Sequence, residues 1–149
     1  MSIFDVIKSD HEMVKKTLQK LVDSTRRARK GREEQMETLK DEVLPHMHAE
    51  ESLFYPFIKD ESDEPELALV AIEEHQVARN VLSDVEATAV EDERWHAKVK
   101  VLQEIILHHI QDEETTIFDK AMDLMDEDQA EEMGDRFVAV KKEAMAGIS

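Results

Sequence analysis

The chain has 149 residues, 41% apolar and 37% charged, with three Gly, three Pro and no Cys. That length suits one domain with a substantial core, and so few Gly and Pro suit helices. A formal charge of −17 argues against nucleic acid or an anionic membrane as partner, because phosphate affinity rests on Lys and Arg.

Without Cys, disulfides and thiolate-held clusters are excluded, so any metal must be held by N and O donors. The N-terminus lacks a signal-peptide pattern and no run reaches about 18 apolar residues, which leads to the expectation of a soluble, cytoplasmic protein.

Ser2 with Asp5 resembles a capping box. After it Phe4, Ile7, His11, Val14, Leu18, Leu21 and Thr25 recur at steps of three and four, the signature of an amphipathic helix. Its end is expected in the run from Arg26 to Gly31, since cations suit a helix C-terminus and Gly the position past it. A second helix is expected from about Arg32 to Lys59, with Leu39, Val43, His46, Glu50, Leu53 and Phe57 inward. Pro45 should kink it just before His46. His48, about 200° around from His46, points away.

After the polar turn Asp60 to Pro65, a third helix carries Ala68, Ile72, His75, Ala78, Leu82, Val85 and Ala89 on one stripe. A break near Val90, Glu91 and Asp92 leads to a fourth, with Trp95, Val99, Leu102, Ile106, His109, Glu113 and Thr116. A last helix, after Asp128, places Met133, Phe137, Val140 and Ala144 on one face. The pattern is all-α. Residues 1–120 read as an antiparallel up-down-up-down four-helix bundle, and 121–149 as an additional C-terminal helix packing on it within the same domain.

The two halves repeat. His46 and His109 lie 63 positions apart, as do Glu50 and Glu113, and His11 and His75 lie 64 apart. Each half holds one lone His and one His-x-x-x-Glu, and such self-similarity marks a duplicated unit. Residues four apart on a helix share a face, so each His-x-x-x-Glu can offer an imidazole and a carboxylate to one ion.

A single inward His is usually a hydrogen-bonded core residue. An inward Glu is harder to accommodate, because an unpaired buried carboxylate costs many kcal/mol. Four His and two Glu on the inward stripes of four helices are better explained by cations that neutralise the carboxylates and take the imidazole lone pairs. His11, His46, Glu50, His75, His109 and Glu113 are therefore the candidate metal ligands, suited to two metal ions bridged by the carboxylates. Imidazole with carboxylate suits iron, with manganese or zinc as possible substitutes.

These residues, as Asp10-His11-Glu12, His46-x-x-x-Glu50-Glu51, Glu74-His75 and His109-x-x-x-Glu113-Glu114, resemble the hemerythrin-like (HHE cation-binding) domains over roughly residues 1–120. The resemblance implies an oxo- or hydroxo-bridged non-haem di-iron centre in a four-helix bundle. By position, His11 and His46 would serve one iron, His75 and His109 the other, with Glu50 and Glu113 bridging. Oxygen-carrying members have a further His where this chain has Arg79, and commonly an Asp where it has Glu113. A more open and symmetric site is implied, one less suited to simple oxygen carriage.

The expected function is to bind or react with oxygen species (dioxygen, peroxide, nitric oxide), including catalase-like decomposition of peroxide. The alternatives are a non-catalytic oxygen or iron sensor or store, and a structural metal-binding bundle. Tyr55, His48, His96 and His108 could each supply a further ligand but read more simply as surface or packing residues, and Arg79 could flank the site but reads more simply as reaching solvent.

Overall fold

The structure, a computed structural model, describes residues 1–148. Ser2 accepts a hydrogen bond from the Asp5 amide and starts α1 (Ile3–Asp23). α2 (Arg29–Ala49) runs through a π-helical turn, Glu50–Phe54, into α3 (Tyr55–Glu61). α4 (Glu66–Glu86) comes next, and α5 (Glu93–Asp112) runs through a second π turn, Glu113–Ile117, into α6 (Phe118–Met122). α7 is Glu127–Ile148. Among the described residues there is no strand, and no helix is long and apolar enough to cross a membrane.

The rods α1, α2–α3, α4 and α5–α6 form the antiparallel bundle. α1 packs on α2 and α5, α4 packs on α5 and α3, and α7 lies across α1 and α2. Gly134 marks the crossing of α7 with the amino terminus, for a Cβ there would run into the Met1 backbone carbonyl. The core divides in two. One cluster gathers Val14, Leu18, Leu39, Val43, Leu82, Trp95 and Ile106, and the other Ile3, Ile7, Phe54, Ile58, Ala71, Phe118 and Phe137. The buried polar residues of the repeat fall between them.

Two expectations need correction. The first helix ends at Asp23, well before the basic run, and Gly31 lies in the first turn of α2. Arg32 accounts for the early stop. Its buried guanidinium donates to the Ser24 carbonyl, the Ser24 hydroxyl and the Val90 carbonyl, and lies 4.3 Å over the Trp95 ring. These bonds tie the α1–α2 and α4–α5 turns together, so Thr25 leaves the helix and is exposed.

The inward stripes also change register beyond Glu50 and Glu113. Phe54, Tyr55 and Ile58 are fully buried where Leu53 and Phe57 were expected, and Ile117 and Phe118 where Thr116 was. The π turns are the cause. The Tyr55 amide donates to the Glu50 carbonyl and the Phe118 amide to the Glu113 carbonyl, each an i→i+5 bond that inserts one residue into the turn. α2 carries Pro45 without a break, and the change in helical geometry follows at Glu50.

Replacing Arg32 with Ala should cost about 2–4 kcal/mol in denaturant unfolding, because buried acceptors lose their donor. Metal content should stay at the wild-type level, since Arg32 packs at the far end from the polar layer.

Candidate metal centre

Alternating steps of three and four residues bring His11 inward from α1, His46 from α2, His75 from α4 and His109 from α5. Glu50 and Glu113 begin the two π turns and have no solvent exposure. All six candidate residues are buried and face one another. His46 Nε2 and His75 Nε2 each lie 3.1 Å from Glu50 Oε1. His11 Nε2 lies 3.2 Å from Glu113 Oε1, and His109 Nε2 lies 3.7 Å from Glu113 Oε2. Potential donor atoms fall into two groups that share Glu50: His11, His46, Glu50 and Glu113, and Glu50, His75 and His109.

The other nitrogen of each ring meets a carboxylate from the neighbouring rod. Asp10 of α1 holds His46 Nδ1 at 2.8 Å, and Glu51, after α2, holds His75 Nδ1 at 2.8 Å. Glu74 of α4 holds His109 Nδ1 at 2.9 Å, and Glu114, after α5, holds His11 Nδ1 at 2.6 Å. The four bonds close a ring around the bundle. Each of these acids stands beside a candidate ligand in sequence yet serves the imidazole of the next helix.

An ionised carboxylate at Nδ1 draws the single imidazole proton to that nitrogen and leaves Nε2 as a lone pair. Those lone pairs point at the carboxylate oxygens of Glu50 and Glu113 and, for His75 and His109, at each other across 3.1 Å. Acceptor against acceptor in an apolar surround is repulsive. His46 Nε2, both oxygens of Glu50 and Glu113 Oε1 are buried without a hydrogen bond. The donor set fits a cation.

Without one, extra protons must fill the same role. Burial disfavours a charged His46, but Glu50 and Asp10 outweigh it and raise the imidazole to about 10. His75 follows the same logic, its burial overcome by Glu50 and Glu51, and rises to about 9. His11 also moves up, burial being outweighed by Glu113. Glu50, despite its burial, is drawn well below the usual carboxylate range by His46, whereas burial and the facing Glu50 charge push Glu113 up.

Several roles at the site went unread in the sequence. Tyr55 was taken for packing, but its hydroxyl donates to Glu113 Oε2 and lies 3.2 Å from His75 Nε2 and 3.1 Å from His109 Nε2. Burial, then the Glu113 and Glu50 charges, hold that phenol well above its ordinary pKa. Arg79 does not run free to solvent: its guanidinium donates to Glu51, the acid that holds His75. From α7, Lys141 lies 2.7 Å from both oxygens of Asp10, and the Phe137 ring centroid is 5.5 Å from that of His46. The acids themselves had a signal, one beside each candidate ligand, but nothing local names the helix each would reach. His48, His96 and His108 are exposed, His96 donating to the Val22 carbonyl at 2.8 Å.

Residues 2–121 match the family model described as the hemerythrin HHE cation binding domain. The chain is 28% identical over 144 residues to a protein of Nostoc sp. named a DNA nickase, a match covering 95% of this chain and 39% of that protein's length. It also superposes on a crystal structure of a hemerythrin HHE cation binding domain-containing protein from Mycobacterium kansasii. The TM-score is 0.86 at 20% identity, over 99% of this chain and 89% of that one, a likeness of fold. α7 lies outside the matched family segment.

Glu51→Gln should weaken metal affinity about 10–100-fold, the usual effect of loosening the partner that orients a ligating His, with the helical circular-dichroism spectrum unchanged. The metal-free protein should also lose stability as pH rises. Imidazoles whose folded pKa lies near 9–10 contribute fully below about 6.5, the unfolded value, and the contribution drains away towards pH 10. The metal-loaded form should show the opposite trend and lose its ions in acid, because protons compete for the lone pairs. Thermal unfolding of both forms from pH 6 to 10 checks the signs.

Proposed function

The chain belongs to the hemerythrin HHE cation binding domain family, and from that premise we propose that its buried layer holds two non-haem iron ions that bind or react with dioxygen, peroxide or nitric oxide. The observation that carries this reading is the set of Nε2 lone pairs, each with its ring proton drawn to the opposite nitrogen, facing two buried carboxylates. His11 and His46 would hold one ion and His75 and His109 the other, with Glu50 and Glu113 shared. When bound, such a pair supplies electrons and Lewis-acid stabilisation to a small oxygen ligand.

The protein's own share is positioning and exclusion. Asp10, Glu51, Glu74 and Glu114 lock the ring orientations. Val14, Val43, Ile106 and Ile110 join the candidate ligands in lining a cavity of about 30 Å³, room for a very small ligand and not for an organic substrate. Tyr55 Oη stands at the His75–His109 position as a further oxygen donor, and its repeat counterpart, Phe118, has no hydroxyl. The two positions are thereby unequal.

Arg79 occupies the place of the extra His of oxygen carriers and is turned to Glu51, which favours reaction over simple carriage. DNA nicking is not carried over from the Nostoc protein. The matched part is 39% of that protein, and a charge of −17 repels phosphate.

Protein purified without added metal should contain about two irons per chain, set by the two donor groups, with an absorption band that bleaches on reduction. His46→Ala and Glu113→Ala should lose the metal and any peroxide turnover, and turnover equal to wild type in these variants would eliminate the peroxide reading. Tyr55→Phe should keep both irons but change the visible spectrum. A reversible spectral response to oxygen without turnover would instead point to a sensor or store.

A further inference from the structure

Glu74 faces two ways. It lines the small cavity within the buried layer and also both grooves that open on the α4–α5 face. Its Oε1 accepts from His109 Nδ1 at 2.9 Å, so one oxygen is committed inward. Its Oε2 lies 3.9 Å from His108 Nε2, which is itself 3.1 Å from Asp112 Oδ2. Potential ligand atoms of these three residues lie within 4.8 Å of one another. A divalent ion with bonds of about 2.0–2.2 Å holds its ligands up to roughly 4 Å apart, so modest side-chain rotations would close the three on one ion. His108 and Asp112 also repeat the i, i+4 spacing of His109 and Glu113, one residue earlier on the same helix.

The internal repeat supplies an independent observation. The counterpart of Glu74 is Asp10, which likewise holds an imidazole inward, and there a cation is already in place: the Lys141 ammonium lies 2.7 Å from both carboxylate oxygens. The counterparts of His108 and Asp112 are Pro45 and Ala49, both buried and without donor side chains. One half of the bundle thus closes this carboxylate with an ammonium from α7. The other half leaves it open beside an imidazole and a second carboxylate, in grooves whose further acids favour cations.

We propose that Glu74, His108 and Asp112 form an exposed docking site for a divalent cation, and that iron enters the buried layer through it, Glu74 being the shared wall. The proposal rests on the buried layer being an iron site. His108 is 71% and Asp112 51% exposed at the side chain, so both can be changed without disturbing the core, and neither belongs to the buried donor set.

The test has two arms on the full chain. Metal-free wild type, His108→Ala and Asp112→Asn are each given limiting ferrous iron without oxygen. Loose iron is removed by chelator at set times, and filling of the buried layer is read from the iron retained and from its absorption band after oxidation. Iron-loaded proteins are then titrated with zinc alone. Loading should be several-fold slower in both variants, with the same final iron content, and loaded wild type should take up one further zinc ion, removed readily by chelator and absent from both variants. Equal loading rates, or no additional zinc in wild type, overturns the proposal while leaving the buried site standing. Failure of wild type to take up any iron would bring down the buried reading, and this one with it.

Discussion

An imidazole has two nitrogens and one proton, and this fold spends the proton on the outside. Once Asp10, Glu51, Glu74 and Glu114 draw it to Nδ1, the inner nitrogens have only lone pairs, aimed at two carboxylates with no solvent exposure. Such a layer is neutralised by cations or by extra protons. Much else in the bundle serves to hold that arrangement still. The ring of carboxylate–imidazole bonds couples each rod to the next at one level, so a rod sliding by a residue would break both the bond it makes and the bond it receives. Apolar clusters on either side keep solvent from relieving the charge.

Duplication builds the site, and departures from it make the halves different. Tyr55 brings a hydroxyl to the His75–His109 side, whereas Phe118, its counterpart, brings a ring that packs on Phe4 and Phe54. Arg79 pairs with Glu51, but its counterpart Lys15 pairs with Glu12 and leaves Glu114 without that support. α7 covers the α1–α2 face, adding Lys141 and Phe137 there, whereas Glu74 lines the grooves on the α4–α5 face. A two-fold scaffold thereby carries two halves of unlike surroundings, one with a phenol beside its imidazoles and one covered by an extra helix.

The acidity noted at the outset takes on a local meaning in this light. The acids at positions 10, 51, 74 and 114 are part of the machinery, and those lining the α4–α5 grooves set a field that draws cations towards Glu74. Burial of so many like charges is tolerable because each is matched by an imidazole, Lys141 or Arg79.

The sequence by itself determined the all-helical bundle, its duplication and the six inward residues, because helical periodicity and a fixed repeat are local properties that chain spacing records directly. It also carried the acid beside each of them. What only the tertiary structure decided lies across helices or against the regular period. Which imidazole each acid holds depends on the neighbouring rod, and so do the pairing of Arg79 with Glu51 and the reach of Lys141 from α7. The i→i+5 turns at Glu50 and Glu113 have no local sequence signal, so counting about 3.6 residues per turn rotated Tyr55 out of the site, and only the inserted residue turns it back in.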